Sequence, residues 1–176
     1  MVQQALKQIA TQALSLTPNG YFITEISEKS RCVDDNKQWR PVPQSTPVDF
    51  RGLANALETE IHPDICTFYS SFWSGSLETT SQEGQVSLIQ MWNQDDFDRL
   101  IENFIGHALM KRQQKLPLTL FFATTEPDSE LFLSLDNATG EVLLEEPAKP
   151  PKKIVDNDLS TFLNRLTPVL GSPDIY

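Results

Sequence analysis

Trp92-Asn93-Gln94-Asp95-Asp96-Phe97-Asp98-Arg99-Leu100-Ile101-Glu102-Asn103-Phe104-Ile105-Gly106-His107-Ala108 is the stretch whose reading decides the fold. Asn93 carries the short polar side chain that caps a helix N-terminus. Trp92 and Phe97 stand at the two positions of a hydrophobic staple, which fixes how the chain enters the helix. Apolar residues then recur at Leu100, Ile101, Phe104, Ile105 and Ala108, the stripe of an amphipathic helix. The spacing predicts a helix over 94–115. Asp95, Asp98 and Glu102 fall together on its opposite face. Asp95 and Asp96 at the start, and Lys111, Arg112 and Lys115 near the end, also suit the helix macrodipole. The acids of this helix therefore have a structural reading beside any recognition one.

Toward the C-terminus, residues 118–124 and 130–136 read as strands, the second with Leu131, Leu133 and Leu135 on one face. Asp136-Asn137-Ala138-Thr139-Gly140 reads as a hairpin loop into a strand over 141–144. A Pro/Lys-rich linker is expected over 147–157, then a closing helix over 158–167 with Leu159, Phe162, Leu163 and Leu166. The tail after Pro168 is expected to be loose. Toward the N-terminus, residues 65–73 read as a strand, with Cys66, Phe68 and Phe72 on one face and Tyr69 and Trp73 on the other. Gly75 and Gly84 bracket a strand over 77–82, and 86–91 is a further strand. Asp49 is placed to cap a helix over 50–60, with Val48 stapling onto Leu53. Residues 21–48, with Pro41, Pro43 and Pro47, are expected to be irregular. A first amphipathic helix over 2–16 presents Leu6, Ile9, Ala13 and Leu14 and stops at Thr17-Pro18-Asn19-Gly20. Strand runs broken by helices, without strict alternation, predict an α+β fold with a mainly antiparallel sheet packed with helices. There is no internal repeat, and 1–176 reads as a single domain.

The composition narrows the function. Apolar residues make up 39 % of the 176, enough for a real core without disulfide or metal staples. Two cysteines, Cys32 and Cys66, fit a reducing compartment better than a disulfide framework. The start of the chain lacks the pattern of a secretory signal, and no run is long and apolar enough to span a bilayer. The net charge of −10 argues against nucleic acid and anionic lipid as partners and for a basic one. The charge is uneven. Lys29, Arg31, Lys37, Arg40 and Arg51 dominate 29–51. Residues 52–110 carry Glu58, Glu60, Asp64, Glu78, Glu83, Asp95, Asp96, Asp98 and Glu102 against Arg99 alone. Residues 116–146 carry acids from Glu126 to Glu146 and no base. These tracts read either as a solvated surface or as one acidic face.

No signature of catalysis stands out: there is no GxSxG, Gly-rich phosphate loop, HExxH or CxxC. His62-Pro63-Asp64-Ile65-Cys66 offers too few ligands for a metal and reads as structural. His107 reads as a boundary histidine and Cys66 as a small core residue. Trp39, Trp73 and Trp92 read as core or staple residues rather than a sugar-stacking platform. No catalytic residue, cofactor or metal is expected, although carboxylates are numerous.

Several of these motifs together resemble the Syd family of SecY-interacting proteins. The resemblance rests on His62-Pro63, Thr67-Phe68-Tyr69 and Met91-Trp92-Asn93-Gln94-Asp95-Asp96-Phe97. It continues through Glu102-Asn103-Phe104-Ile105-Gly106-His107, the run from Lys115 to Thr124, and Gly140-Glu141-Val142. It covers nearly the whole chain, is most specific from Trp92 to Thr124, and is loose over 21–48.

The resemblance implies an α+β fold of the SUKH superfamily and a small bacterial cytoplasmic protein. It implies attachment to the cytoplasmic side of the inner membrane through SecY, whose basic cytosolic loops would meet an acidic concave face. The implied role is a regulator or quality check of the translocase, without direct lipid insertion. The expected contact residues are the acids in or beside matching motifs: Glu58, Glu60, Asp64, Asp95, Asp96, Asp98, Glu102, Glu126, Asp128 and Glu130. An immunity protein neutralising a basic toxin is the alternative that the same fold and charge allow.

Overall fold

The computed structural model describes residues 1–25 and 30–170. In chain order, α1 spans Val2–Leu16, and the short strands β1, β2 and β3 are Phe22–Ile23, Gln38–Trp39 and Val42–Pro43. Helices α2 (Arg51–Leu57) and α3 (Pro63–Ser70) precede β4 (Phe72–Trp73), β5 (Leu77–Ser81) and β6 (Gly84–Leu88). After α4 (Gln94–Gln113) come β7 (Thr119–Thr124), β8 (Phe132–Asp136), β9 (Val142–Glu145) and β10 (Lys153–Asp156). Helix α5 (Leu159–Asn164) and β11 (Thr167–Pro168) close the chain. The main sheet runs β10-β9-β8-β7-β6-β5-β11, every pair antiparallel. This is the α+β fold with an antiparallel sheet that the sequence predicts.

Most strands follow one another as a meander, so each closes its ladder with a chain neighbour. The exception is β11, which returns to pair Thr167 with Thr80 of β5. Helix α1 packs on α3, α5 and β5, while α4 packs on α2 and β7. One core joins them, with Leu6, Ile65, Phe68, Leu88, Phe104, Phe122 and Phe162 among its fully buried members. The α4 prediction holds at its cap and along its apolar stripe, while the helix ends at Gln113 rather than 115. Asn93 Oδ1 accepts the Asp96 N–H at 2.9 Å, and Phe97, Leu100, Phe104 and Ala108 are buried.

Four expectations need correction. Residues 65–73 are not a strand. Pro63 opens α3 at a position where its missing N–H costs nothing, and His62 Nδ1 accepts the Asp64 N–H at 3.2 Å. Ile65, Phe68 and Tyr69 then share the buried face at helical spacing, and only Phe72–Trp73 is extended. An apolar run this short fits both periods, and the cap decides between them.

The second correction concerns 147–157, which is not a linker throughout. Lys153–Asp156 is an edge strand paired to β9, with Val155 packed against the core and Ile154 exposed. Third, the closing helix is shorter than 158–167: it ends at Asn164, and Thr167 and Pro168 are extended. Val169 still donates to the Glu78 carbonyl at 3.0 Å, and 171–176 lie outside the described residues. Fourth, α2 is capped at Phe50 rather than Asp49, whose carboxylate instead accepts the Arg51 N–H at 2.9 Å. The described residues of 21–48 contain three short strands and are otherwise irregular, while 26–29 lie outside the described residues.

A polar network that the sequence does not announce lies inside this apolar body. Glu145 of β9 is fully buried and pairs with the buried Lys111 of α4. Its other oxygen accepts from Thr119 Oγ1 at 2.7 Å and Ser134 Oγ at 2.5 Å. Thr119 Oγ1 also lies 2.9 Å from His107 Nε2. Lys111 thus serves as a partner inside the core, not as a solvated dipole charge. Desolvation makes such a pair costly to break from one side, about 3–5 kcal/mol, while removing both charges together costs little. Glu145→Gln or Lys111→Met alone should therefore lower the urea midpoint by about 2 M, given a slope of roughly 2 kcal/mol per molar. Lys111→Met combined with Glu145→Leu should recover part of it, the buried Thr119 and Ser134 hydroxyls having lost their Glu145 acceptor. Single variants with an unchanged midpoint would remove the pair from the account of stability.

Arg165 performs a similar task nearer the surface. Its guanidinium donates to both Glu83 oxygens, at 2.8 and 3.0 Å, and to Asp156 Oδ2 at 2.9 Å. It thereby ties α5 to the β5–β6 turn and the β10 edge. Hydrogen bonding to Arg165 holds the Glu83 carboxyl down at about 2, below its ordinary 4.5. A depressed carboxyl stabilises the fold above its unfolded value and loses that contribution as pH falls toward the folded one. Arg165→Gln should flatten the loss of thermal stability between about pH 4.5 and 2, read by melting curves across that window. An equally steep loss in the variant would assign it to other carboxylates.

Candidate binding cleft

A cleft of about 1200 Å³ opens where the start of α4 meets the segment from Ser30 to Asp49. Its volume lies just above the roughly 300–1,000 Å³ of small-molecule sites. Trp73, Trp92, Phe97 and Val48 supply its apolar surface, and Asp34, Asp35, Asp49 and Asp98 its carboxylates. Arg31 and Lys37 also reach it, so the lining is acidic on balance, not uniformly.

Each wall is fixed by local chemistry. Asp96 Oδ2 accepts the Trp92 N–H at 2.8 Å while Asn93 caps the helix, so the turn into α4 is locked from both sides. Ser30 Oγ donates to the Trp92 carbonyl at 2.5 Å and brings the facing segment to that turn. Asp34 Oδ1 accepts the N–H groups of Asn36 and Gln38, at 2.8 and 3.0 Å, which folds 34–38 into a tight turn. Its neighbour Asp35 is exposed. Asp49 accepts two hydrogen bonds from the Arg51 guanidinium, which hold its carboxyl at about 2.

Two of the tryptophans are in contact. Trp92 meets Trp39 edge to face at 5.1 Å, and Trp39 stacks on Phe22 at 4.5 Å. Gly75 makes this possible: a Cβ there would lie 2.7 Å from the Trp92 ring and 2.8 Å from Trp39. Trp39 is buried as the sequence reading expects, but Trp73 and Trp92 are only half-buried and line the cleft.

The ten acids singled out from the sequence do not come together. Asp98 lines the cleft, and Asp95 and Glu102 lie within a helical turn of it on α4. Asp96 is half-buried and engaged with Trp92 and Arg99. Glu58 and Glu60 are exposed at the end of α2, and Asp64 stands in the first turn of α3. The Asn137 side chain bridges this region to the β8–β9 hairpin, donating to the Glu60 carbonyl and accepting the His62 N–H. Glu126, Asp128 and Glu130 occupy the β7–β8 loop, where Glu126 Oε1 accepts the Gln85 N–H at 3.0 Å. Strand direction places that loop at the opposite end of β6 and β7 from Trp92. Asp34, Asp35 and Asp49 were missed, because in sequence they belong to the basic segment. Only the long return of that segment onto α4 turns them toward Asp98.

The histidines and cysteines have structural surroundings. The His62 ring lies over Gly140, where a Cβ would approach Nε2 to 2.7 Å. The His62-Pro63 and Gly140 motifs thus meet as one joint. Burial pushes His107 below its ordinary value, and the Cys66 thiol up to about 11. Among the described residues no group of three His, Cys, Asp or Glu side chains is arranged to hold a metal.

The geometry can be set beside known proteins. Residues 1–168 match the family model described as Syd protein (SUKH-2). The chain is 38 % identical over 151 residues to Protein Syd of Pseudoalteromonas atlantica, spanning 86 % of this chain and 79 % of the relative. It is 42 % identical over 132 residues to Protein Syd of Hahella chejuensis, spanning 75 % and 68 %. With Protein Syd of Tolumonas auensis it shares 39 % over 133 residues, 76 % of this chain and 68 % of the relative. A family match over residues 1–168, with 38–42 % identity over 68–79 % of these relatives' lengths, places the protein in the Syd family (SUKH-2).

Proposed function

We propose that this chain binds a basic cytosolic segment of SecY and thereby regulates or checks the translocase, without chemistry of its own. The observation that carries the reading is the convergence of Asp34, Asp35 and Asp98 on one aromatic-floored cleft, in a chain of net charge −10. Cytoplasmic loops of membrane proteins are rich in Lys and Arg, and an acidic cleft is their electrostatic complement. The likeness to the Syd family supports SecY as that partner. Among the described residues no helix is long and apolar enough to cross a membrane. In this reading the chain reaches the inner membrane through SecY, and its charge opposes direct contact with anionic headgroups.

The proposal narrows the contact set to the α4 acids and the facing loop. Asp95→Lys, Asp98→Lys and Glu102→Lys together should weaken capture of detergent-solubilised SecY by about tenfold or more, mainly through a slower association rate. The loss should shrink as salt rises, because exposed charges are screened beyond about 8 Å at physiological ionic strength. Reversing Glu126, Asp128 and Glu130 at the far end of the sheet should change affinity by less than about twofold. Equal losses from both triple variants would mean that diffuse charge, not this cleft, does the binding. Equal flotation with pure anionic liposomes would remove the need for a protein partner.

A further inference from the structure

The cleft offers more than charge. Its floor contains two half-buried indoles, Trp73 and Trp92, within the same lining as Asp35 and Asp98. A floor of this kind wastes its aromatic surface on a lysine ammonium, which is compact and strongly hydrated. A guanidinium is planar and weakly hydrated. It stacks on an aromatic face while its edge still donates two parallel hydrogen bonds to a carboxylate. The chain uses this stacking itself, with Arg165 over Phe162 at 4.9 Å and Arg40 over Tyr21 at 5.4 Å. The arrangement is also held in place. Gly75 admits both Trp39 and Trp92, Asp96 and Ser30 fix the Trp92 backbone, and β4 pairs Trp73 with Val42.

We propose that the cleft is an arginine clamp: the basic segment of the partner enters with an arginine side chain laid against Trp73 and Trp92 and its edge on Asp98 or Asp35. This rests on the SecY reading and adds the side chain that the site selects. Gly75 is then a positioning residue for the clamp, not a contact.

The test replaces the arginines of the SecY cytosolic loops by lysine, which keeps every charge and leaves the present chain untouched. Affinity of purified native and lysine-bearing SecY in detergent is measured by titration. Tryptophan emission is followed in the same experiment. Two of the chain's three tryptophans, Trp73 and Trp92, line the cleft and the third, Trp39, contacts Trp92, so emission of this chain responds to occupation of the cleft. The clamp predicts about tenfold weaker binding of the lysine form with an unchanged salt dependence, the scale of one partly desolvated cation–π contact. It also predicts an emission change on binding native SecY. Trp73→Leu should cost a similar factor, after which the lysine form should lose nothing further. If native and lysine-bearing SecY bind equally and with the same salt dependence, the clamp is wrong and electrostatic docking stands. If native SecY does not bind, the SecY reading fails and the clamp fails with it.

Discussion

Trp92 packs edge to face against Trp39 above a glycine, and the shape of the cleft depends on that contact. It joins the turn into α4 to a segment that precedes it by two helices and three strands. The segment has little regular structure with which to hold itself. Its position comes from the indole contact, from Ser30 on the Trp92 carbonyl, and from the β-bridge between Val33 and Trp39. A side chain at position 75 would push the two rings apart, and the cleft between the segment and α4 would lose its floor. Aromatic packing of this kind contributes through both buried area and ring geometry. Here it also sets which carboxylates line one cleft.

The buried pair of Lys111 and Glu145 shows a different economy. An ion pair in a dry interior is weak evidence for stability, because desolvation offsets the attraction. Its value lies in register. Glu145 must meet Lys111, Thr119 and Ser134 at once, so β9, β8, β7 and α4 have one mutual arrangement that satisfies it. A slip of β9 by one residue would turn Glu145 to the other face and leave Lys111 buried and unpaired. The network thus specifies how the main sheet sits under its longest helix, and that fixes where the α4 acids emerge.

Charge along a chain and charge over a surface are different quantities, and the Syd fold separates them. The acidic tract from 116 to 146 sends Glu126, Asp128 and Glu130 to one end of the sheet and Glu145 into the core. The segment richest in basic residues contributes Asp34 and Asp35 to the cleft instead. An antiparallel meander alternates its loops between the two ends of the sheet, so consecutive loops cannot share a face.

The sequence by itself determined the elements whose signals are local. α1 and α4 follow from the spacing of Leu6, Ile9 and Ala13 and of Phe97, Leu100 and Phe104. The entry to α4 follows from Asn93, and the β8–β9 turn from Asp136 to Gly140. The family was legible too, because its motifs at 62–63, 91–97 and 102–107 are contiguous words. The run 65–73 was misread because a few apolar residues satisfy both a period of two and one of 3.6. The edge strand at 153–156 was missed because prolines before it suggest a linker. Burial of Lys111 and Glu145, the meeting of His62 with Gly140, and the gathering of Asp34, Asp35, Asp98, Trp73 and Trp92 were decided only by tertiary structure. Each joins residues far apart in the chain, and no local propensity records which distant side chain will supply a charge, a ring or an empty space.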